Sequence, residues 1–202
     1  MKKLLVVGAV ALFAGANAQE TETAGFNMGD TFITGAVGFN SQTTGDVKSN
    51  TFTIAPSVGH FVTSNIAIGA RVGYTTTTDK NTVANVEVSN KVNTFAVGAF
   101  GRYYWMPASR FSIFGELNAN YANAKNTVEA GSVSTDNKAD GFNIGFAPGI
   151  NYFLSPNFAL EATWGIINYS SVKPDVDGAI ATDNFGIGLD LNDISLGLVY
   201  KF

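Results

Sequence analysis

The sequence predicts an all-β chain folded as an eight-stranded antiparallel up-and-down transmembrane β-barrel, and three observations carry that prediction. Apolar residues recur with period two in eight separate segments, the signature of strands. Hydrophobic residues make up 46% of the chain and charged ones only 14%, against about 25% charged in ordinary soluble domains. The second face of nearly every segment is small or polar, where a sandwich core needs bulky apolar side chains, so the chain reads as apolar outward and polar inward.

The N-terminus precedes the strands. Residues 1–18, MKKLLVVGAVALFAGANA, join two lysines to a short apolar run and small residues at Ala16 and Ala18, which is the layout of a cleaved secretory signal peptide. Residues 19–30 are expected as a periplasmic N-terminal segment and 31–202 as the barrel. The first strand, 31–39, sets Ile33, Val37 and Phe39 against Thr34, Ala36 and Gly38. The second, 51–61, sets Phe52, Ile54, Pro56 and Val58 against Thr53, Ala55, Ser57 and Gly59. The third, 65–75, places Ile66, Ile68, Val72 and Tyr74 opposite Arg71 and three small residues. In the fourth, 94–105, Phe95, Val97, Tyr103 and Trp105 oppose Gly98, Phe100, Arg102 and Tyr104.

The fifth, 111–121, opposes Phe111, Ile113, Leu117 and Tyr121 to Ser112, Phe114, Glu116, Asn118 and Asn120. The sixth, 142–153, carries Phe142, Ile144, Phe146, Ile150 and Tyr152 on its apolar face. The seventh, 158–166, carries Phe158, Leu160, Trp164 and Ile166, with Glu161 on the other side. The eighth, 194–202, alternates from Ile194 to Phe202 and is expected to close the barrel on the first. Apolar residues before it fall on odd numbers up to Leu191, so a bulge or kink is expected near 191–193.

Tight links at 61–65, 105–110 and 153–157 alternate with long polar ones at 40–50, 76–92, 122–140 and 170–184, the pattern of short periplasmic turns and long extracellular loops. Residues 56–68, PSVGHFVTSNIAI, repeat without gaps as 148–160, PGINYFLSPNFAL, so one strand–turn–strand design is used twice. Pro56 and Pro148 each remove a ladder donor, and local bulges are expected there. Phe61, Tyr103, Trp105, Phe111, Tyr152 and Phe158, with Phe202, cluster near the tight turns and are expected to form an aromatic girdle at the membrane interface.

Four charges fall on the inward face: Arg71, Arg102, Glu116 and Glu161. Two of each sign at similar depth are expected to pair, because an unpaired charge in a narrow lumen is costly. They read as a plug that fills the lumen, with a gate or selectivity ring as the functional alternative; Lys201 is placed to join them. The two projecting stretches 81–90 and 126–135 keep partial alternation, and projecting strand edges can recruit another strand.

Several chemistries are excluded or disfavoured. Without cysteine there is no thiolate nucleophile, and one histidine without cysteine builds no zinc site. The acidic stretches 134–141 and 173–178 miss the calcium-loop spacing. No cofactor and no metal is expected. An acidic chain without Lys/Arg clusters gives no support for nucleic-acid binding.

Ser195, Gly197, Tyr200 and Phe202 meet the pattern polar-x-Gly-x-x-aromatic-x-aromatic, and with the hairpin PSVGHFVTSNIAIGARVGY the sequence resembles the small outer-membrane β-barrels of the OmpA/OmpX type. The resemblance implies a place in a bacterial outer membrane, contact with its lipid, and recognition of those four residues by the barrel-assembly machinery. It covers the barrel half of OmpA, with no peptidoglycan-binding domain. The expected role is structural or interactive, supporting membrane integrity and adhesion through a ligand held by loops 40–50, 76–92, 122–140 and 170–184. The alternative is a narrow path for ions or small apolar molecules. Lipid-modifying barrels that resemble this scaffold act at the outer leaflet, whereas His60 falls beside a tight turn at the other end, so no reaction is assigned.

Overall fold

The computed structural model describes residues 24–83, 86–188 and 194–202. The signal peptide read at 1–18 and the kink expected at 191–193 lie outside the described residues. The strands are β1 (Thr31–Thr44), β2 (Val47–Phe61), β3 (Ile66–Val83), β4 (Val86–Trp105), β5 (Phe111–Ala130), β6 (Val133–Phe153), β7 (Phe158–Trp164), β8 (Ile167–Pro174), β9 (Thr182–Ile187) and β10 (Ile194–Lys201). They make eight staves, because β7 runs on into β8, and β9 and β10 lie along one further stave. Antiparallel pairing passes from β1 through β2, β3, β4, β5, β6, β7 and β10 back to β1, which closes the sheet. Closure satisfies the backbone without an edge, as a sheet in hydrocarbon requires.

The three longest hairpins hold most of the residues expected in loops. Pairing continues to Thr44↔Val47, Val83↔Val86 and Ala130↔Val133, so 40–50, 76–92 and 122–140 are chiefly ladder and not coil. Both faces of these stretches are polar, and an apolar–polar rule therefore passes over them. Polar cross-strand pairs hold them instead, as in Ser41–Asn50 at 2.7 Å and Thr127–Asp136 at 2.6 Å. Gly45 and Gly131, with φ of 60° and 58°, take the first position of two-residue tips that need a left-handed residue. The fourth link, 170–184, divides into β8, a turn and β9.

The repeated turn is built twice with the same bonds. Val62 and Thr63 donate backbone N–H groups to the Ile66 carbonyl at 2.9 and 3.3 Å; Leu154 and Ser155 donate to that of Phe158 at 2.8 and 3.2 Å. Asn65 and Asn157 each pass a side-chain amide to the neighbouring strand, at Tyr104 and Lys201. The prolines behave differently from one another. At Pro56 the ladder to β1 continues and the register to β3 is the same on both sides, so no bulge forms. Opposite Pro148 one does form, but on the neighbouring stave. Gly149 pairs with Thr163 while Phe146 pairs with Ile167, so two β6 residues face three.

Two aromatic rings bound the apolar outer wall. At the turn rim Tyr103, Trp105, Phe111, Tyr152 and Phe202 point outward and are exposed, and Tyr200 touches both Phe158 and Phe202 edge-on. At the hairpin rim each stave presents one ring, among them Phe39↔Phe52, Tyr74↔Phe95, Tyr121↔Phe142 and Tyr169↔Phe185 as opposed pairs. Trp105 to Phe95, Phe111 to Tyr121 and Tyr152 to Phe142 are each ten residues apart. At ~3.3 Å per residue and a tilt of roughly 40° that is about 25 Å, the height of the apolar band of an outer-membrane barrel.

Candidate functional site

The lumen is crossed by a buried charge network. Arg102 and Glu116 face each other in the β4–β5 register, and Arg102 Nε donates to Glu116 Oε2 at 2.8 Å. Glu161 approaches from β7 across the lumen and receives two bonds from the same guanidinium, Nη1 to Oε2 at 2.7 Å and Nη2 to Oε1 at 3.0 Å. Arg71 closes the set through Nη2 to Glu116 Oε1 at 2.6 Å. The remaining acceptor sites are filled by Thr34 on Glu161, Asn118 on Glu116 and the Asn151 amide on Glu161. The planar, forked guanidinium suits this bidentate role, and an ammonium would not reproduce it.

Aromatic rings clamp the same cation. The Arg102 guanidinium carbon lies 4.4, 5.0 and 5.6 Å from the ring centres of Phe114, Phe100 and Phe32, and that of Arg71 lies 4.9 Å from Phe100. These rings fit because a glycine stands beneath each one on the adjoining strand. A Cβ on Gly59, Gly69 or Gly149 would meet Phe32, Phe100 or Phe114 at 2.3 Å. Arg102 and Glu116 are 3% exposed, whereas the Arg71 side chain keeps 27% and faces the hairpin side. Beyond it the lumen is lined by a polar ladder of Asn118, Asn120 and Asn143.

The turn side of the network is sealed by a residue that alternation did not single out. Residues 24–30, part of the segment expected at 19–30, enter the mouth of the barrel. Phe26, 1% exposed, packs on Phe32, Phe61, Tyr104 and Phe153 at centroid distances of 5.3, 4.8, 5.4 and 4.9 Å. Its N–H donates to Pro107 O, and Gly29 N–H to Phe61 O. Lys201 does not join the four charges. It lies at this seal, its Nζ donating to Gly25 O at 3.0 Å and sitting 3.6 Å from Asp30.

Phe61 is a correction: it is 1% exposed and belongs to the lumen seal, not to the interfacial girdle. Its odd number shares the inward face of Ser57 and Gly59, so proximity to the turn misled where parity did not. Tyr103, Trp105, Phe111, Tyr152 and Phe158 stand on the outward face. Gly197 lies in the β7–β10 ladder opposite Glu161, and a Cβ there would stand 3.3 Å from Gly35 O. Ser195 lines the lumen side of the same strand, and Phe202 donates its N–H to Thr31 O. His60 is exposed at the turn rim, its Nδ1 3.0 Å from Thr31 Oγ1. Among the described residues no three His, Asp or Glu side chains gather as a metal site.

One seam of the wall is short. Among the described residues β1 and β10 pair only over Phe32↔Lys201 to Gly35↔Leu198, although both strands continue beyond. A lumen cavity of about 160 Å³ reaches this seam at Thr34, Ala36 and Gly197, and an outer groove lined by Ile33, Val37, Ile54 and Leu198 meets it from the lipid side.

The sequence matches the family model of the outer membrane protein beta-barrel domain over residues 5–202. Comparison with curated proteins gives no match. Among solved structures, OprG of Pseudomonas aeruginosa is 14% identical with a TM-score of 0.54, covering 89% of this chain and 98% of that one. Neisserial surface protein A is 17% identical with a TM-score of 0.44, covering 86% and 95%. Ail, the attachment invasion locus protein of Yersinia pestis, is 14% identical with a TM-score of 0.43, covering 87% and 99%. At such identities OprG speaks for the fold alone. Apolar without, charged within and matched by that model over almost its whole length, the chain belongs to the outer membrane protein beta-barrel domain family, a small eight-stranded barrel of the bacterial outer membrane.

Proposed function

We propose that the protein is a sealed structural barrel that supports the membrane and presents its long hairpins to extracellular partners. The double closure of the lumen, by the Arg102 network and by Phe26, is the observation that carries this reading. An ion moving along the axis meets the paired guanidinium and carboxylate groups of Arg102, Glu116 and Glu161 and, on the turn side of them, the packed rings around Phe26. The hairpins suit display. Val86 lies nine residues beyond Phe95 and Ala130 nine beyond Tyr121, so paired strands rise about 20–25 Å above the outer ring. Their polar edges offer backbone groups to an added strand.

Planar-bilayer recordings test the seal. Wild type and Arg102→Ala are both expected to be silent, and stepwise conductance in wild type would remove the structural reading. Shortening the hairpins at 81–90 and 126–135 is expected to leave heat-modifiable gel mobility intact while removing adhesion. Unchanged adhesion would remove the display role.

The β1–β10 seam favours a second reading, passage of small apolar molecules sideways between lumen and lipid. Ala36→Cys with Gly197→Cys tests it, since continued pairing would set these residues opposite each other. Uptake of a small apolar probe should fall on oxidation and recover on reduction; insensitivity to redox state eliminates the path. No reaction is proposed.

A further inference from the structure

The lumen wall on the hairpin side of the charge network is uneven. Across β5, β6 and β8 it carries the amide ladder, in which Asn118 donates to Glu116, Asn120 to Asn118 and Asn143, and Asn143 to Asn168. Across β1 and β2 the inward residues are small. The cavity of about 160 Å³ lies on that side, lined among others by Ala36, Ala55, Ser57, Arg71, Thr163 and Ser195. Arg71 has room there because Gly73 follows it on the same face and Gly98 stands opposite on β4.

Each carboxylate oxygen bordering this cavity is already taken. Glu116 Oε1 accepts from Arg71 and Asn118, and its Oε2 from Arg102. Glu161 Oε1 accepts from Arg102 and Thr34, and its Oε2 from Arg102 and the Asn151 amide. Donors, by contrast, are left over. Among the described residues Arg71 donates through Nη2 alone, and its Nε is buried without an acceptor. The hydroxyls of Ser57, Thr163 and Ser195 also have no partner among the described residues. Donors left without acceptors are destabilising, so the site is chemically incomplete in one direction only: it calls for an acceptor.

We propose that this cavity binds a short aliphatic carboxylate. Its head accepts from Arg71 and Ser57, which face each other in the β2–β3 register, and gives the guanidinium a second planar partner. Its tail lies against Ala36 and Ala55, where it displaces water from a wall without polar side chains. A volume of about 160 Å³ equals roughly five waters at ~30 Å³ each, which suits a tail of a few carbons and no larger solute. The two arginines and two glutamates already balance in charge, so the head alone binds weakly and the tail must contribute. Arg71 stands on the hairpin side of the seal, and the ligand enters and leaves on that side. Binding needs no passage and is independent of whether the barrel conducts.

The chain has three arginines, Arg71, Arg102 and Arg110, so isotope-labelled arginine gives one Nε resonance for each. The whole protein in phosphatidylcholine nanodiscs is titrated with butyrate, formate or chloride and followed by NMR. Butyrate is expected to shift the Arg71 resonance saturably and to leave that of Arg110, at the turn rim, in place. Formate has the head without the tail and should bind about tenfold more weakly. Saturation transfer from protein to butyrate then reads two variants. Arg71→Gln removes the head contact, and Ala55→Leu fills the cavity while keeping Arg71; each should weaken binding by at least about tenfold. Unchanged heat-modifiable mobility verifies that they are folded, and Ala55→Leu leaves every ion pair of the network in place. Equal transfer in Ala55→Leu and wild type overturns the proposal, as does equal affinity for formate and butyrate. A shift of Arg110 in parallel with Arg71 would mean nonspecific ion pairing and equally overturn it. So would chloride saturating the Arg71 shift at the same concentration, which would leave a simple anion hole.

Discussion

Arg102 holds two carboxylates at once, and its loss would leave both in a lumen where no other guanidinium reaches Glu161. Arg102→Ala is therefore expected to destabilise the barrel by about 3–5 kcal/mol in urea unfolding from lipid vesicles. A cost below about 1 kcal/mol would mean that water already solvates the site. Glycines make a sharper comparison. A Cβ on Gly69 would press on both Phe100 and the Val58 carbonyl at 2.3 Å, while Gly101 has nothing within 4 Å. Gly69→Ala should cost about 1–3 kcal/mol and Gly101→Ala almost nothing in the same assay. The four lumen charges were legible because parity alone places Arg71, Arg102, Glu116 and Glu161 inward. Phe26 was not, since it lies in an aperiodic stretch whose partners come from four different strands, three of them far along the chain. The signal that was available is the inward parity of Phe100, Tyr104 and Phe114, too bulky for a lumen unless small residues stand beneath them.

At the scale of elements, alternation found every stave that crosses the membrane and stopped where both faces become polar. The hairpin ends there depend on cross-strand polar pairs, and their response to acid follows. Glu87 is held below the usual carboxylate range by the hydrogen bond and charge of Lys80, and Asp136 by hydrogen bonds from Lys125 and Thr127. A depressed carboxyl stabilises the folded form at any pH above its unfolded value, about 4, and that contribution disappears as pH falls through the lower folded value. Lys80, raised by Glu87, keeps its share until pH rises beyond the ordinary lysine range. Amide exchange in the 80–91 and 125–136 hairpins, corrected for intrinsic rate, should be flat from neutrality to about pH 5 and accelerate below about pH 4. Glu87→Gln should remove the step from the first hairpin only. The repeated turn shows the opposite case, where PSVGHFVTSNIAI and PGINYFLSPNFAL were enough to foresee one geometry, bond for bond.

For the whole molecule, the two aromatic rings and the band between them follow from residue spacing, and eight staves set a lumen narrow enough for side chains to fill. The short β1–β10 seam had no counterpart in the sequence, because register between the first and last strands depends on how the sheet closes. All these features require the bulky apolar face to meet lipid and the small or polar face to meet the axis. Nitroxides at Leu117 and at its neighbour Asn118 in the reconstituted barrel test that requirement most directly, read by collision with oxygen and with a water-soluble nickel chelate. The label at Leu117 should be accessible to oxygen and shielded from nickel, and the label at Asn118 should be shielded from oxygen at the same depth. The reverse pattern, or identical exposure at both positions, would contradict the account.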